Sequence, residues 1–207
     1  MHPNPIYRQT DAQQSLAFAR TRAFGTLAVS AEGSPLMAHV PFLLSQDADH
    51  ILMHLVRSNP IARAAREPIT ARLDVVGPDG YISPDWYGIE DQVPTWNYVA
   101  VSFTGTLIPM PVSDLMEVLT AQSAAYEARI TGKKPWTMDK LSDETRDRFF
   151  RMILPFRMDI SDMQSTWKLG QNKADDARLG AAEGLANGFG SELEALAALM
   201  RQPPKSA

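Results

Sequence analysis

Imidazoles are the first place to look for chemistry, because they ligate metals and move protons near neutral pH. The chain has four: His2, His39, His50 and His54. On a helix the four-residue spacing of His50 and His54 would put both on one face as a metal pair. The run that carries them is short and apolar, a strand pattern, and on a strand they would stand about 13 Å apart. No metal site is expected. No G-x-S-x-G elbow or Walker lysine loop occurs, and Gly188-Phe189-Gly190 lacks the third glycine and the preceding strand of a dinucleotide fold. With no cysteine, thiolate nucleophiles, disulfides and Cys-ligated metals are excluded.

The remaining polar and aromatic groups gather in five segments: His39-Val40-Pro41, His54 to Asn59, Tyr81 to Tyr87, Val93 to Tyr98 and Trp167 to Asn172. Trp86, Trp96 and Trp167 can serve as core or interface aromatics, since a large ring with one N–H packs well half-buried. Together the segments hold what a phosphorylated flavin needs: a flat apolar slot, hydrogen-bond partners for a ring edge, and cationic or amide donors for a phosphate. Arg57, Ser58 and Asn59 fall where a strand gives way to a helix start, which offers unpaired N–H groups to an anion. The alternative reading is that Ser58 or Asn59 simply caps that helix.

These residues need elements to hold them. Thr10-Asp11-Ala12-Gln13 has capping-box spacing, and Leu16, Ala19 and Ala23 follow at helical intervals, predicting a helix over 11–22. Strands are predicted over 24–30, 37–44 and 50–56, then a short helix over 59–66 with Pro60 in its first turn. The strand over 69–76 sets Ile69, Ala71, Leu73 and Val75 on one face, and Gly77-Pro78-Asp79-Gly80 predicts a turn. After an aromatic loop over 81–94, a strand over 97–107 alternates Val99, Val101, Phe103 and Gly105 inward with Ser102, Thr104 and Thr106 outward. Ser113 is the expected N-cap of a helix stopped at Gly132, and a second helix covers 142–151. A last strand over 156–167 precedes Ala/Leu-rich helices over 172–187 and 191–201 and a fraying tail over 202–207. Six strands with a helical insertion before the last make a mainly β chain with α additions, a barrel carrying extra helices.

Hydrophobic residues at 44% and charged residues at 21% are ordinary for a globular protein, and no apolar run approaches the roughly 20 residues of a membrane span. A soluble, cytoplasmic protein with no membrane partner is expected. The net charge of −4 repels nucleic-acid phosphates, and no helix-turn-helix with a basic recognition helix is visible, so direct DNA binding is not expected.

The strings YISPDWY, VPTWNY and WKLGQN, in this order and spacing, resemble the PaiB family of FMN-binding negative transcriptional regulators. The likeness extends over roughly the whole chain, through His2-Pro3, Ala23-Phe24-Gly25-Thr26-Leu27, His39-Val40-Pro41 and Arg57-Ser58-Asn59-Pro60. It implies the split β-barrel of pyridoxamine-phosphate oxidases, FMN as cofactor, and a homodimer with two FMN sites at its interface. Residues 1–172 would form the FMN-binding domain, including the helical insertion 112–151, and 173–207 a C-terminal helical extension packed on it. Carried onto this sequence, the resemblance puts Arg57, Ser58 and Asn59 near the phosphate, and His39 and Pro41 on a strand bordering the isoalloxazine, with His54 in the same cofactor-binding set. Trp96 and Asn97 would stand near the dimer seam, and Trp167, Lys168, Gln171 and Asn172 would approach a cofactor held mainly by the other subunit. The family motif often has Ser where this chain has Gly170. The expected function is that of a flavin-dependent redox or flavin-sensing protein, with no catalytic side chain assigned because the flavin would transfer hydride or electrons. Two alternatives follow from the family: transcriptional regulation, direct or indirect, and haem binding, with His2, His39 or His54 as axial ligand.

Overall fold

The structure is a computed structural model that describes residues 1–205. Seven strands occur among them: β1 (Phe24–Val29), β2 (Leu36–Leu44), β3 (His50–Val56), β4 (Ile69–Ile82), β5 (Thr95–Pro109), β6 (Ile153–Lys168) and β7 (Gly190–Ser191). The order is β1-β2-β3-β6-β5-β4-β7, and β1 also pairs with β4, so six antiparallel strands close into a barrel. Six helices accompany them: α1 (Ala12–Arg22), α2 (Pro60–Ala64), α3 (Leu115–Glu127), α4 (Asp143–Phe150), α5 (Asp175–Gly184) and α6 (Leu193–Arg201). None of the described helices is long and apolar enough to cross a membrane.

Internal packing divides the chain into two compact units, with one cut between α1 and β1 and the others inside β4, β5 and β6. The unit made of Ala23–Asp74 and Phe103–Met163 contains β1, β2 and β3. The cross-strand neighbours Phe42 and Met53, then Met53 and Phe156, bury their side chains almost completely. Each such side chain contributes roughly 1.5–3 kcal/mol by leaving water. Gly105 permits the closest backbone approach here, since a Cβ would stand 2.9 Å from the carbonyl carbon of Asp159. Tyr126 of α3 donates from its hydroxyl to the Phe42 carbonyl at 2.8 Å, fastening the helical insertion to β2.

The other unit comprises Met1–Arg22, Val75–Ser102 and the chain from Gln164 onward. Its core joins Ile82, Tyr87, Val99, Trp167 and Leu169 to Ala177, Ala181, Leu185, Leu196 and Met200 of the last helical segments. Trp86 lies on a slot of glycines: a Cβ at Gly180 would meet the Trp86 carbonyl oxygen at 2.6 Å, and one at Gly184 would reach within 2.8 Å of the indole Cε2. Their four-residue spacing puts both on one helix face. Buried Arg178 donates to the Met200 and Arg201 carbonyls and to Asp175 Oδ1 at 2.6 Å, capping the end of α6.

Several expectations are corrected. Gly77 to Gly80 forms no turn, because β4 continues to Ile82. Those glycines serve packing instead: a Cβ on Gly77 would lie 2.9 Å from Phe18 Cε2, and one on Gly80 would lie 3.0 Å from leucines 185, 193 and 196. Pro78 falls between the residues paired to β1 (Ala71 to Asp74) and those paired to β7 (Asp79 and Gly80), so its missing N–H costs neither pairing a bond. Pro41 is the last residue of β2 in register with β1, opposite Phe24, and the pairing with β3 begins at Phe42. Ser102 is buried rather than outward, its hydroxyl donating to Met1 Sδ at 3.6 Å. The α1 cap is Asp11, whose Oδ1 accepts from the Gln13 N–H at 2.7 Å, instead of a Thr10 box. Ser113 turns its hydroxyl to Asp114 and caps nothing, and α3 ends at Glu127 rather than at Gly132. α5 begins at Asp175, three residues later than predicted. In the tail, α6 stops at Arg201, and Ser206 and Ala207 lie outside the described residues.

Candidate functional site

Six expected site residues fall on β2, β3 and the junction after β3, within one unit. His39 is exposed on β2, its Nδ1 in a hydrogen bond of 3.0 Å with Thr26 Oγ1 on the paired strand and its ring stacked on exposed Phe24 with centroids 6.5 Å apart. Pro41, two residues on, marks the partner switch. His54 is tied elsewhere: its Nδ1 donates to Gln122 Oε1 at 2.9 Å, while buried Gln122 donates from Nε2 to the Leu52 carbonyl at 3.2 Å. That amide joins α3 to β3 with both its ends.

Arg57 donates its backbone N–H to the Met152 carbonyl at 2.9 Å, and its exposed guanidinium has no ion pair among the described residues. The Ser58 carbonyl accepts from Arg63 Nη2 at 3.1 Å, leaving its exposed hydroxyl free among those residues. Asn59 Oδ1 accepts from the Ile61 N–H at 2.8 Å and so caps α2, a helix of only five residues. The capping reading therefore holds for Asn59, while Arg57 and Ser58 keep donors available to an anion.

The other six expected residues lie in the second unit. Trp96, 44% exposed, stands edge-on to Tyr81 at 6.3 Å and to Phe189 at 5.5 Å, and those two rings stack at 5.3 Å. Its neighbour Asn97 is buried, as strand alternation requires, and donates from Nδ2 to the weak acceptor Met200 Sδ at 3.4 Å. Trp167 is likewise buried: its Nε1 donates to Ser15 Oγ at 3.0 Å and its ring packs edge-to-face on Phe18. Gln171 closes the turn at Gly170, accepting from the Leu169 N–H at 2.8 Å and donating to the Trp167 carbonyl at 2.5 Å. Gly170 has φ of +80°, a conformation a serine would adopt only with strain.

Lys168 emerges on the opposite side of the strand from Trp167. Its Nζ donates to Thr95 Oγ1 and to the Trp96 carbonyl at 2.8 Å, and stands 5.8 Å from the centre of the Tyr7 ring. Burial lowers its pKa below the ordinary lysine value. It lines a cavity of about 190 Å³ together with Tyr7, Tyr87, Val93, Thr95, Asn97, Gly170, Asn172 and Lys173. Of the expected residues, Asn97, Lys168 and Asn172 thus come together, whereas Trp167 and Gln171 support the fold behind them.

A family model described as "Putative FMN-binding domain" matches residues 1–162. The "Protease synthase and sporulation protein PAI 2" of Bacillus subtilis (strain 168) is 30% identical over 207 residues, 99% of each chain. The chain belongs to the PaiB family of FMN-binding proteins. Among solved structures, the FAD and haem binding protein from Mycobacterium smegmatis superposes with a TM-score of 0.58 at 17% identity, over 89% of this chain and 82% of that one. The flavocytochrome Anf3 from Azotobacter vinelandii gives 0.54 at 11% identity, over 81% and 72%. At such identities the likeness is one of fold, and it matches the split barrel expected of a PaiB-family chain.

Six residues of this PaiB-family cavity were not among the expected site residues, and of these Tyr7 and Lys173 lie outside every segment singled out in the sequence, while Tyr87, Val93, Thr95 and Gly170 lie within them. Tyr7 ends a 3-10 turn, Pro5–Tyr7, capped by Asn4 Oδ1 accepting from the Ile6 N–H at 3.1 Å. The Asn4-Pro5 pair was the available signal that the N-terminus starts with an ordered turn. The His2 ring packs edge-on to Tyr7 at 4.7 Å, and the His2 N–H donates to Thr166 Oγ1 at 3.0 Å. Burial, then nearby Lys168, lowers the His2 pKa. Tyr87 lies within one of the quoted motifs, and Lys173 Nζ stands 5.0 Å from its ring centre while donating to Gln92 Oε1. Burial raises the pKa of both phenols, that of Tyr87 further because of Tyr7.

Proposed function

We propose that this PaiB-family protein acts as a homodimeric flavoprotein whose FMN serves a redox or flavin-sensing role. The observation that carries the reading is the family match over residues 1–162. The side chains present suit the cofactor's chemistry: Arg57 and Ser58 offer a phosphate donors that are free among the described residues, and exposed aromatic surface at Phe24 and Trp96 suits a flat heteroaromatic ring. The cavity of about 190 Å³ is smaller than the about 300–1,000 Å³ typical of whole-ligand pockets. It would hold part of an FMN at most, which favours a site completed between two copies of the chain. Bound FMN would supply hydride or electron transfer. The protein's part is to fix the phosphate and to cover the ring.

Reconstitution of the purified protein with FMN, followed by absorbance spectroscopy and light-scattering mass, tests both halves. A bound-flavin spectrum in a particle of twice the chain mass is expected. No measurable FMN affinity ends the flavin reading, and a monomeric holoprotein ends the dimeric one.

A regulatory role is the second reading, favoured by the name of the Bacillus subtilis relative, which refers to protease synthesis and sporulation. The net charge of −4 favours an indirect route over contact with DNA. Tight, salt-sensitive binding to a promoter fragment would reverse that preference.

A further inference from the structure

The cavity that holds Lys168 carries an imbalance that its protein neighbours do not correct. Lys168 and Lys173 both reach it, and both are held by neutral acceptors: Thr95 Oγ1 and the Trp96 carbonyl for one, Gln92 Oε1 for the other. Among the described residues neither ammonium has a carboxylate within ion-pair distance. An ammonium has three donors, so the site retains N–H groups and net positive charge. The phenols add a second, independent sign. Tyr7 and Tyr87 are 6% and 5% exposed, and neither hydroxyl has a hydrogen-bond partner among the described residues. Among the described residues, the single side-chain polar atom both sealed from solvent and without a hydrogen bond is Arg72 Nε, so neither phenol oxygen is sealed. Both phenol oxygens therefore reach open space, and both tyrosines line this cavity. A hydroxyl that opens on a cavity takes its hydrogen bond from water or from a ligand there.

We infer that this cavity is a binding site for the anionic end of a small molecule, a carboxylate or phosphate group set between the Lys168 and Lys173 ammoniums and accepting hydrogen bonds from the Tyr7 and Tyr87 hydroxyls. The volume of about 190 Å³ suits one such group with a short organic body. Burial, which lowers the pKa of Lys168 and raises those of both phenols, keeps the tyrosines as neutral donors. Arg57 and Ser58 are the donors proposed for the FMN phosphate, so the anion here is that of a separate small organic acid, and FMN phosphate is the other source that the test separates. The assignment needs no flavin, because every group in it belongs to this chain.

The test is calorimetric titration of the full-length protein, free of FMN and then loaded with it, using inorganic phosphate and benzoate as probes. Binding to the flavin-free protein is expected. Lys173→Met should weaken it at least about tenfold, the loss of one charge-assisted contact. Tyr7→Phe and Tyr87→Phe, which remove only a hydroxyl and preserve the packed ring, should weaken it by smaller factors. If FMN competes with the probes and riboflavin does not, the anion is the flavin's own phosphate. If the probes bind FMN-loaded and flavin-free protein equally, the site takes a separate acid. Absence of probe binding to the flavin-free protein, or binding that Lys173→Met and both Tyr→Phe variants leave unchanged, overturns the assignment. A protein that binds the probes but not FMN keeps this site and loses the flavin reading.

Discussion

The indole Nε1 of Trp167 donates to the hydroxyl of Ser15 at 3.0 Å, and both side chains are buried. The pair fastens the end of β6 to α1, so this tryptophan works in the core rather than against a ligand. Lys168, its neighbour in sequence, points to the cavity by strand alternation.

Ser15→Ala leaves that indole N–H buried without an acceptor. A loss of about 1–3 kcal/mol is expected, read as a lower denaturation midpoint at unchanged m-value. Stability equal to the parent protein would show that water or another group satisfies the indole.

Gly184→Ala sets two effects against each other. In an exposed helix the change gains up to about 1 kcal/mol. Here a Cβ would reach within 2.8 Å of Trp86 Cε2, and overpacking against a rigid ring costs about 1–3 kcal/mol. Net destabilisation is expected, and Trp86→Leu introduced together with it should cost less than the two changes summed. A thermal melt above that of the parent would refute the glycine slot.

Arg57 and Asn59 should separate ligand contact from capping. Arg57→Ala removes an exposed guanidinium without an ion-pair partner among the described residues, so stability should change by no more than about 0.5 kcal/mol while FMN affinity falls about tenfold. Asn59→Ala removes the cap on the Ile61 N–H and should cost about 0.5–2 kcal/mol of stability with affinity retained. An equal loss of affinity in both variants would put Asn59 in contact with the phosphate as well.

Alkaline stability should follow the buried phenols. Tyr126 is pushed up to about 12 by burial, against a partly opposing Arg129, whereas an unfolded tyrosine titrates near about 10. Because the folded value is the higher one, its contribution is complete below about pH 10 and is lost as pH rises through about 12. Tyr7 and Tyr87, also raised by burial, act with the same sign. Urea midpoints measured from about pH 8 to about pH 12 should decline less steeply for Tyr126→Phe than for the parent; parallel curves would take Tyr126 out of this window.

The barrel was legible in the sequence because its signals are local. Alternation at Ile69, Ala71, Leu73 and Val75 reports a buried strand face, and Asn59-Pro60 reports a helix start, whatever the rest of the chain does. The same reading placed the helical insertion before the last barrel strand and carried the family likeness. Glycine and proline misled it where their reason is not local. Gly77 and Gly80 are small because Phe18 and three leucines press on them, and Pro78 and Pro41 are tolerated because a strand changes partner there, facts that only the assembled sheet supplies. The site divides in the same way. The family resemblance carried by the WKLGQN string marked Lys168 and Asn172 as ligand-binding candidates, but only tertiary structure turned Trp167 inward, committed His54 to Gln122, and brought Tyr7 and Lys173, 166 residues apart, to the wall of one cavity. Local pattern is written in nearest neighbours along the chain; a binding site depends on which distant groups the closed sheet leaves facing each other without a partner.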